Sequence, residues 1–159
     1  YGETMKNVII LVDVQNVYYT TKQAHNCNFD YNEFWAEVTK NRNVIKAIAY
    51  TTDRGDEKQR QFQNILRAIG FEVKLKPYIQ RPDGSAKGDW DVGITLDAME
   101  YADVVVLASG DGDFDLLVTK IQTDYKIPVE VYGVRLLTAN SLIKAASKYV
   151  AIENKLLLR

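Results

Sequence analysis

The feature that most constrains the fold is a series of short, continuous apolar runs, several of them followed by a helical pattern. Val8 to Val12 is the first of these runs, and Val104 to Leu107 is the most uniform. Continuous apolarity is typical of strands that are buried on both faces of a parallel sheet. Strands that alternate with helices along a chain indicate an α/β fold with a mainly parallel, doubly wound sheet. Right-handed crossovers would place helices on both faces of that sheet.

The periodicity predicts the individual elements along the whole chain. The predicted strands are 8–12, 44–50, 71–75, 104–108, 128–134 and 149–152. The predicted helices are 14–24, 30–41, 57–69, 90–101, 113–126 and 139–148. A chain of 159 residues without an internal repeat or a linker suits one domain, so we expect a single domain over residues 1–159.

Composition narrows the class of protein. Apolar residues make up 47% and charged residues 26%, an ordinary globular mixture that argues against disorder. The net charge of −1 does not indicate a nucleic-acid partner, which would need a local basic patch. Cys27 is the only cysteine, so no internal disulfide can form, and we expect a cytoplasmic protein. No apolar run is long enough to span a bilayer and no signal peptide is visible, so we expect no membrane partner.

Aspartates stand at the predicted strand-to-helix junctions. Asp13 ends the first strand, and Asp111 and Asp113 lie in a glycine turn directly after the fourth. Asp89 and Asp91 open the helix between the third and fourth strands. If the first and fourth strands are neighbours, their carboxyl ends meet at the switch point of the sheet, where open α/β sheets bind ligands.

Carboxylates that converge in this way repel one another unless a cation offsets their charge. Oxygen ligands without a nearby histidine or cysteine suit Mg²⁺ or Mn²⁺ rather than zinc. Such ions activate water and clamp phosphodiesters, so the pattern predicts metal-dependent phosphoryl chemistry. The competing interpretation is helix capping, which any one of Asp30, Asp89, Asp91 or Asp113 would serve. Capping explains Asp13 less readily, because this residue ends a buried strand.

Three segments resemble the signature blocks of NYN domains, the LabA-like branch of the PIN-like nuclease superfamily. They are Val12 to Asn16, Lys87 to Ala98 and Ser109 to Phe114. Their order and spacing match the family, and with the elements between them they cover most of the chain. The resemblance implies a Rossmann-like three-layer α/β/α sandwich. It also implies an endoribonuclease that depends on Mg²⁺ or Mn²⁺.

The resemblance assigns roles residue by residue. It implies that catalysis and metal coordination are carried by four carboxylates, those of Asp13, Asp91, Asp111 and Asp113. Residues that support these ligands would be Asn16, Asp97 and Ser109. For Asn16 a phosphate contact or local turn capping is the alternative, and for Asp97 a helix-packing contact. Asp97 lies six residues after Asp91, about 240° round a helix, so both cannot face one ion.

The chain also departs from the family pattern in two places. Two residues separate Gly88 from Asp91 where the commoner pattern has one, so Asp89 and Asp91 both remain candidate ligands, and the downstream spacing favours Asp91. Ser147 stands where the family's closing block usually has an acid, which leaves open any acidic contribution from that end.

Substrate contacts are predicted on the same edge of the sheet. Lys87 and Arg54 are candidates to contact phosphates, together with Lys58 and Arg60. Trp90 is a candidate to stack on an unpaired base. His25 and Cys27 lie in a polar segment and are expected to have no catalytic role.

The leading hypothesis is therefore a metal-dependent ribonuclease acting on single-stranded RNA. The alternative is a non-catalytic RNA-binding or regulatory module that retains a similar site, because a fold does not settle function. A Toprim-like site would need a glutamate where Asp13 stands, and a receiver domain would need paired acids there. The sequence does not decide between RNA and DNA as the substrate, between one and two metal ions, or between a monomer and a homodimer.

Overall fold

The fold is built on a parallel sheet. The computed structural model describes residues 5–51, 55–75 and 99–158. Six strands form the central sheet in the order β4-β3-β1-β5-β6-β7, and every neighbouring pair is parallel. Helices cover both sides of it. The predicted Rossmann-like α/β/α sandwich is therefore confirmed.

The elements are as follows. The strands are β1 Lys6–Asp13, β2 Asn28–Phe29, β3 Arg42–Thr51, β4 Glu72–Leu75, β5 Val104–Ala108, β6 Val129–Gly133, β7 Lys148–Ala151 and β8 Leu157–Leu158. The α-helices among the described residues are α1 Val14–His25, α2 Tyr31–Thr39, α3 Glu57–Ile69, α4 Asp115–Asp124 and α5 Asn140–Ala145. Short 3-10 helices cover Gly112–Phe114, Arg135–Leu137 and Asn154–Leu156.

The central strand β1 explains why its apolar run is continuous. Alternate side chains point to opposite faces of a strand, and both faces of this strand meet packed helices. Val8, Ile10 and Val12 join one hydrophobic core, whereas Ile9 and Leu11 join a second core on the other side of the sheet. All five side chains are buried, which fixes β1 in the middle of the sheet.

Local capping signals in the sequence set several helix ends. The Asp30 carboxylate accepts from the Glu33 backbone N–H at 3.1 Å and starts α2, as predicted. Asp56 does the same for α3 through the Gln59 N–H at 2.7 Å. Gly70 ends α3 with φ +139°, a conformation that favours glycine. The predicted bounds of α3 are confirmed at both ends.

Some boundaries differ from the prediction. The last predicted helix, 139–148, ends at Ala145, because the Ser147 hydroxyl and N–H both bond to Val129 as the chain enters β7. The predicted helix 113–126 begins as a 3-10 turn and becomes α-helical only at Asp115. The predicted helix 90–101 lies outside the described residues except for 99–101. Of the helices in the described ranges, none is long and apolar enough to cross a bilayer.

Candidate metal centre

The centre lies where β1 and β5 end side by side. Val12 pairs with Ala108 in the parallel register, so the next residues, Asp13 and Ser109, emerge together at the carboxyl edge. The first and fourth predicted strands are therefore neighbours, which is the condition under which the sequence predicts that the aspartates converge. β6 lies on the other side of β5, where the Ser109 N–H donates to the Tyr132 carbonyl at 3.0 Å. The edge is the point at which the crossovers lead off in opposite directions, and α/β folds bind ligands there.

Asp13 is a nearly inaccessible carboxylate, 2% exposed. Its Oδ1 accepts from the Asn16 N–H at 3.3 Å, so it caps α1 despite ending a buried strand. Its Oδ2 lies 3.5 Å from the Ser109 hydroxyl. A buried carboxylate is costly unless donors or cations offset it, and these contacts supply part of that compensation. A carboxylate has about four acceptor positions, so capping and metal binding are compatible in one side chain.

Ser109 links the two arms of the centre. It is fully buried, and its hydroxyl oxygen accepts from the Asp111 N–H at 3.1 Å while facing the Asp13 carboxylate. The first acid and the turn that carries the second are therefore held by one hydroxyl group. The role of Ser109 in supporting metal ligands stays a prediction.

Asn16 connects the first turn of α1 to the glycine turn after β5. Its Oδ1 accepts from the Gly110 N–H at 2.8 Å. The side-chain NH₂ group of Asn16 is a donor and takes no part in this bond. The link crosses two adjacent strands, so it fixes the position of the turn relative to Asp13.

The turn after β5 presents Asp111 and Asp113 in different environments. Asp111 Oδ1 accepts from the Asp113 N–H at 3.0 Å and caps the 3-10 helix. Asp111 is half-buried, whereas Asp113 is exposed. The cap is thus Asp111 rather than Asp113, which was the capping alternative considered from the sequence.

Close approach explains the two glycines of this turn. A Cβ on Gly110 would lie 2.8 Å from the Leu137 carbonyl oxygen, and one on Gly112 would lie 2.8 Å from the Ala139 Cβ. Neither glycine has a positive φ. The turn is therefore pressed against the segment that precedes α5, and side chains larger than hydrogen are excluded by packing.

The carboxylate oxygens of this centre suit a hard divalent cation. Within residues 5–51, 55–75 and 99–158, no three Asp, Glu, His or Cys side chains are grouped closely enough to hold a metal ion. Mg²⁺ is commonly held by only one or two carboxylates together with waters and substrate phosphates. Asp13 and Asp111 fit that pattern by their chemistry.

Other predicted site residues cannot be compared with this geometry. Six of them lie outside the described residues, namely Arg54, Lys87, Asp89, Trp90, Asp91 and Asp97. Their roles remain predictions from the sequence.

The structure also brings forward a residue that the sequence did not indicate. Tyr31 lies in an aromatic cluster with Phe29, Phe62 and Phe71. Burial, with a further contribution from the charge on Asp13, raises the pKa of the Tyr31 phenol well above its ordinary value. No local pattern indicates this electrostatic influence, because Tyr31 lies on α2, whereas Asp13 ends β1.

Four exposed side chains with apolar surface lie on elements that begin at the carboxyl edge. Leu116 is the second residue of α4, and Leu136 lies in the 3-10 turn after β6; they are 79% and 89% exposed. Tyr18 and Tyr19 on α1 are about half exposed, with ring centroids 5.3 Å apart in an edge-to-face arrangement. We refer to the four exposed side chains Tyr18, Tyr19, Leu116 and Leu136 as the apolar rim.

Comparisons with known proteins agree with this architecture. Residues 7–153 match the family model of the NYN domain. The chain is 24% identical over 156 residues to the low amplitude and bright protein LabA of Synechococcus elongatus, covering 91% of this chain and 83% of that protein. It is 55% identical to VPA0982, a Vibrio parahaemolyticus protein of unknown function with a crystal structure, covering 99% of both chains at a TM-score of 0.88.

Proposed function

We propose that this chain, which belongs to the NYN domain family, is a metal-dependent endoribonuclease that cleaves single-stranded RNA. NYN domains are members of the PIN-like nuclease superfamily, whose enzymes generally use divalent metal ions. The observation that carries the proposal is the convergence of Asp13 and the Ser109–Asp111 turn at the carboxyl edge of neighbouring parallel strands.

The carboxylates have a common role in this proposal. Asp13 and Asp111, with Asp91 and Asp113, would hold Mg²⁺ or Mn²⁺ at the edge. A bound ion of this kind lowers the pKa of a water molecule and neutralises charge on the phosphate that is attacked. Burial of Asp13 keeps one ligand fixed, and the exposure of Asp113 leaves room for a phosphodiester.

Neighbouring residues would position these groups and the substrate. The Ser109 hydroxyl faces the Asp13 carboxylate, and the Asn16 amide oxygen accepts from the Gly110 N–H, so these residues would fix the glycine turn relative to Asp13. Asp97 would support a ligand from its own helix. Lys87 and Arg54 would contact phosphates, and Trp90 would stack on an unpaired base. We further infer that residues 1–159 form one domain and that the protein acts in the cytoplasm.

The proposal is tested by incubating the protein with end-labelled single-stranded RNA and, separately, DNA of the same sequence. We expect cleavage of RNA in Mn²⁺ or Mg²⁺, none in EDTA, and slower or absent cleavage of DNA. If RNA is cleaved in neither Mn²⁺ nor Mg²⁺, the proposal is contradicted.

The second candidate is a non-catalytic RNA-binding or regulatory module. It is favoured by the apolar rim, because exposed apolar side chains on elements that begin at one edge of the sheet offer apolar contacts to a partner. Divalent-ion binding detected by a thermal shift, without turnover of any RNA, would support this candidate over the nuclease.

A further inference from the structure

A groove runs between helix α3 and the sheet-edge strand β4, two strands from β1 and the candidate metal centre. Its cavity is about 310 Å³ and is lined by Gly55, Gln59, Arg60, Gln63, Arg67, Val73 and Leu75. The predicted substrate contacts included only Arg60 from this set. The groove is large enough for part of a small ligand or of an extended polymer.

The groove is lined by two arginines from α3 and by two apolar side chains, Val73 and Leu75, from β4. Arg60 and Arg67 are two helical turns apart, about 10 Å along α3, and both side chains are exposed. Within the described residues neither guanidinium pairs with a carboxylate; Arg67 donates to the Asn64 side-chain oxygen at 3.1 Å. By contrast, the nearby Lys46 and Lys74 both pair with Glu72. The two arginines therefore carry positive charge that those contacts do not neutralise.

The groove opens on the same edge of the sheet as the aspartates. The Gln63 amide donates to the Thr51 hydroxyl at 3.5 Å, and Thr51 is the last residue of β3. The preceding residue, Tyr50, pairs with Asp13 in β1. Since neighbouring strands are about 4.8 Å apart, β4 lies about 10 Å from β1. A strand of nucleic acid in the groove would thus lead towards the carboxylates.

We propose that this groove binds the backbone of single-stranded RNA. Arg60 and Arg67 would contact phosphates at two points along the strand, because a guanidinium matches phosphate oxygens with two parallel hydrogen bonds. The carboxamides of Gln59 and Gln63 would contact ribose hydroxyls or the polar edges of bases. Val73 and Leu75 would contact the apolar faces of the bases. The inference rests on the proposed function for the identity of the ligand, and it adds the path by which the substrate reaches the centre.

The test measures binding without cleavage. A labelled single-stranded oligoribonucleotide is titrated with the protein in EDTA, by fluorescence anisotropy, at several salt concentrations. For Arg60→Gln with Arg67→Gln we expect affinity to fall about tenfold or more. The slope of log K against log salt should flatten by about 1.4, because each single-strand phosphate contact contributes about 0.7. Arg60→Lys with Arg67→Lys keeps both charges and should retain most of that slope.

The matched control removes two exposed positive charges at the opposite edge of the sheet, by Lys6→Gln with Lys40→Gln. The groove proposal is overturned if RNA affinity and the salt slope are unchanged in Arg60→Gln with Arg67→Gln. It is also overturned if the lysine control loses as much affinity as that variant. If RNA cleavage is lost in Asp111→Asn but RNA affinity is unchanged in the arginine variant, the groove proposal is rejected and the nuclease proposal stands. If affinity falls in the arginine variant but no metal-dependent cleavage is detected, the nuclease proposal is rejected and the groove proposal stands.

Discussion

At the scale of single residues, the candidate centre depends on donors that hold two carboxylates in place. Asp13 and Asp111 could be singled out because Asp13 ends an apolar strand and Asp111 lies in the turn after another, and strand ends are local features of a sequence. The contact from Asn16 to the Gly110 N–H could not, because it joins residues 94 positions apart and depends on the β1–β5 register.

Asn16→Ala removes the acceptor of the Gly110 N–H. Leaving a partly buried donor without its partner costs about 1–3 kcal/mol. We therefore expect a lower free energy of unfolding, measured by urea denaturation, together with slower RNA cleavage because the turn carrying Asp111 is released.

Asn16→Asp, measured with Mg²⁺ present to offset the added charge, is the matched comparison, because a carboxylate can still accept from Gly110. This variant should lose less stability than Asn16→Ala. Equal stability losses in the two variants would show that the Gly110 contact does not hold the turn.

At the scale of elements, the glycine turn after β5 and the segment before α5 form one packed unit. The sequence indicated a glycine turn that presents two acids, and this interpretation was confirmed for the turn itself. The physical reason differs, because the glycines are needed for close packing against Leu137 and Ala139 rather than for unusual backbone angles. Packing partners that follow a later strand cannot be predicted from local sequence.

Gly112→Ala places a methyl group 2.8 Å from the Ala139 Cβ. Overpacking of this kind costs about 1–3 kcal/mol and would shift the turn that carries Asp111 and Asp113. We expect a lower midpoint of thermal unfolding and reduced cleavage of RNA.

The second-site test adds Ala139→Gly to Gly112→Ala, which removes the methyl group on the other side of the contact. Recovery of part of the lost stability in a double-mutant cycle is the expected result. Strict additivity of the two losses would mean that the methyl groups do not clash.

At the scale of the whole molecule, the C-terminal segment is tied back to α2. The Glu37 carboxylate accepts from the Tyr132 hydroxyl at 2.6 Å and pairs with Lys155 at 2.9 Å. Strands β2 and β8 add a two-residue antiparallel pair. The parallel sheet could be predicted from its apolar runs, whereas this pair could not, because two residues carry no periodicity.

The acid stability of the fold follows from Glu37. Burial tends to raise its pKa, but hydrogen bonds from Lys155 and Tyr132 and the charges of Lys155 and Lys148 outweigh burial and lower the pKa below its ordinary value of 4.5. The folded state therefore favours the ionised form. This contribution to stability is present above pH 4.5 and is lost as the pH falls through the lowered pKa.

Glu37→Gln should remove that part of the pH dependence. In urea unfolding across the acid range, the variant is expected to lose less stability on acidification than the unmodified chain. Glu100→Gln, at an exposed position, is the control and should leave the dependence unchanged. If the free energy of unfolding depends on pH identically in Glu37→Gln and the unmodified chain, Glu37 does not contribute to the acid stability of the fold.

The central claim is that the carboxylates at the carboxyl edge hold a catalytic divalent ion. It is tested most directly by single-turnover cleavage of single-stranded RNA in Mn²⁺, comparing Asp13→Asn and Asp111→Asn with the exposed control Asp124→Asn. We predict that each edge variant loses at least about 100-fold in rate while remaining folded, and that Asp124→Asn cleaves at the unmodified rate. Cleavage retained in both edge variants would contradict the assignment.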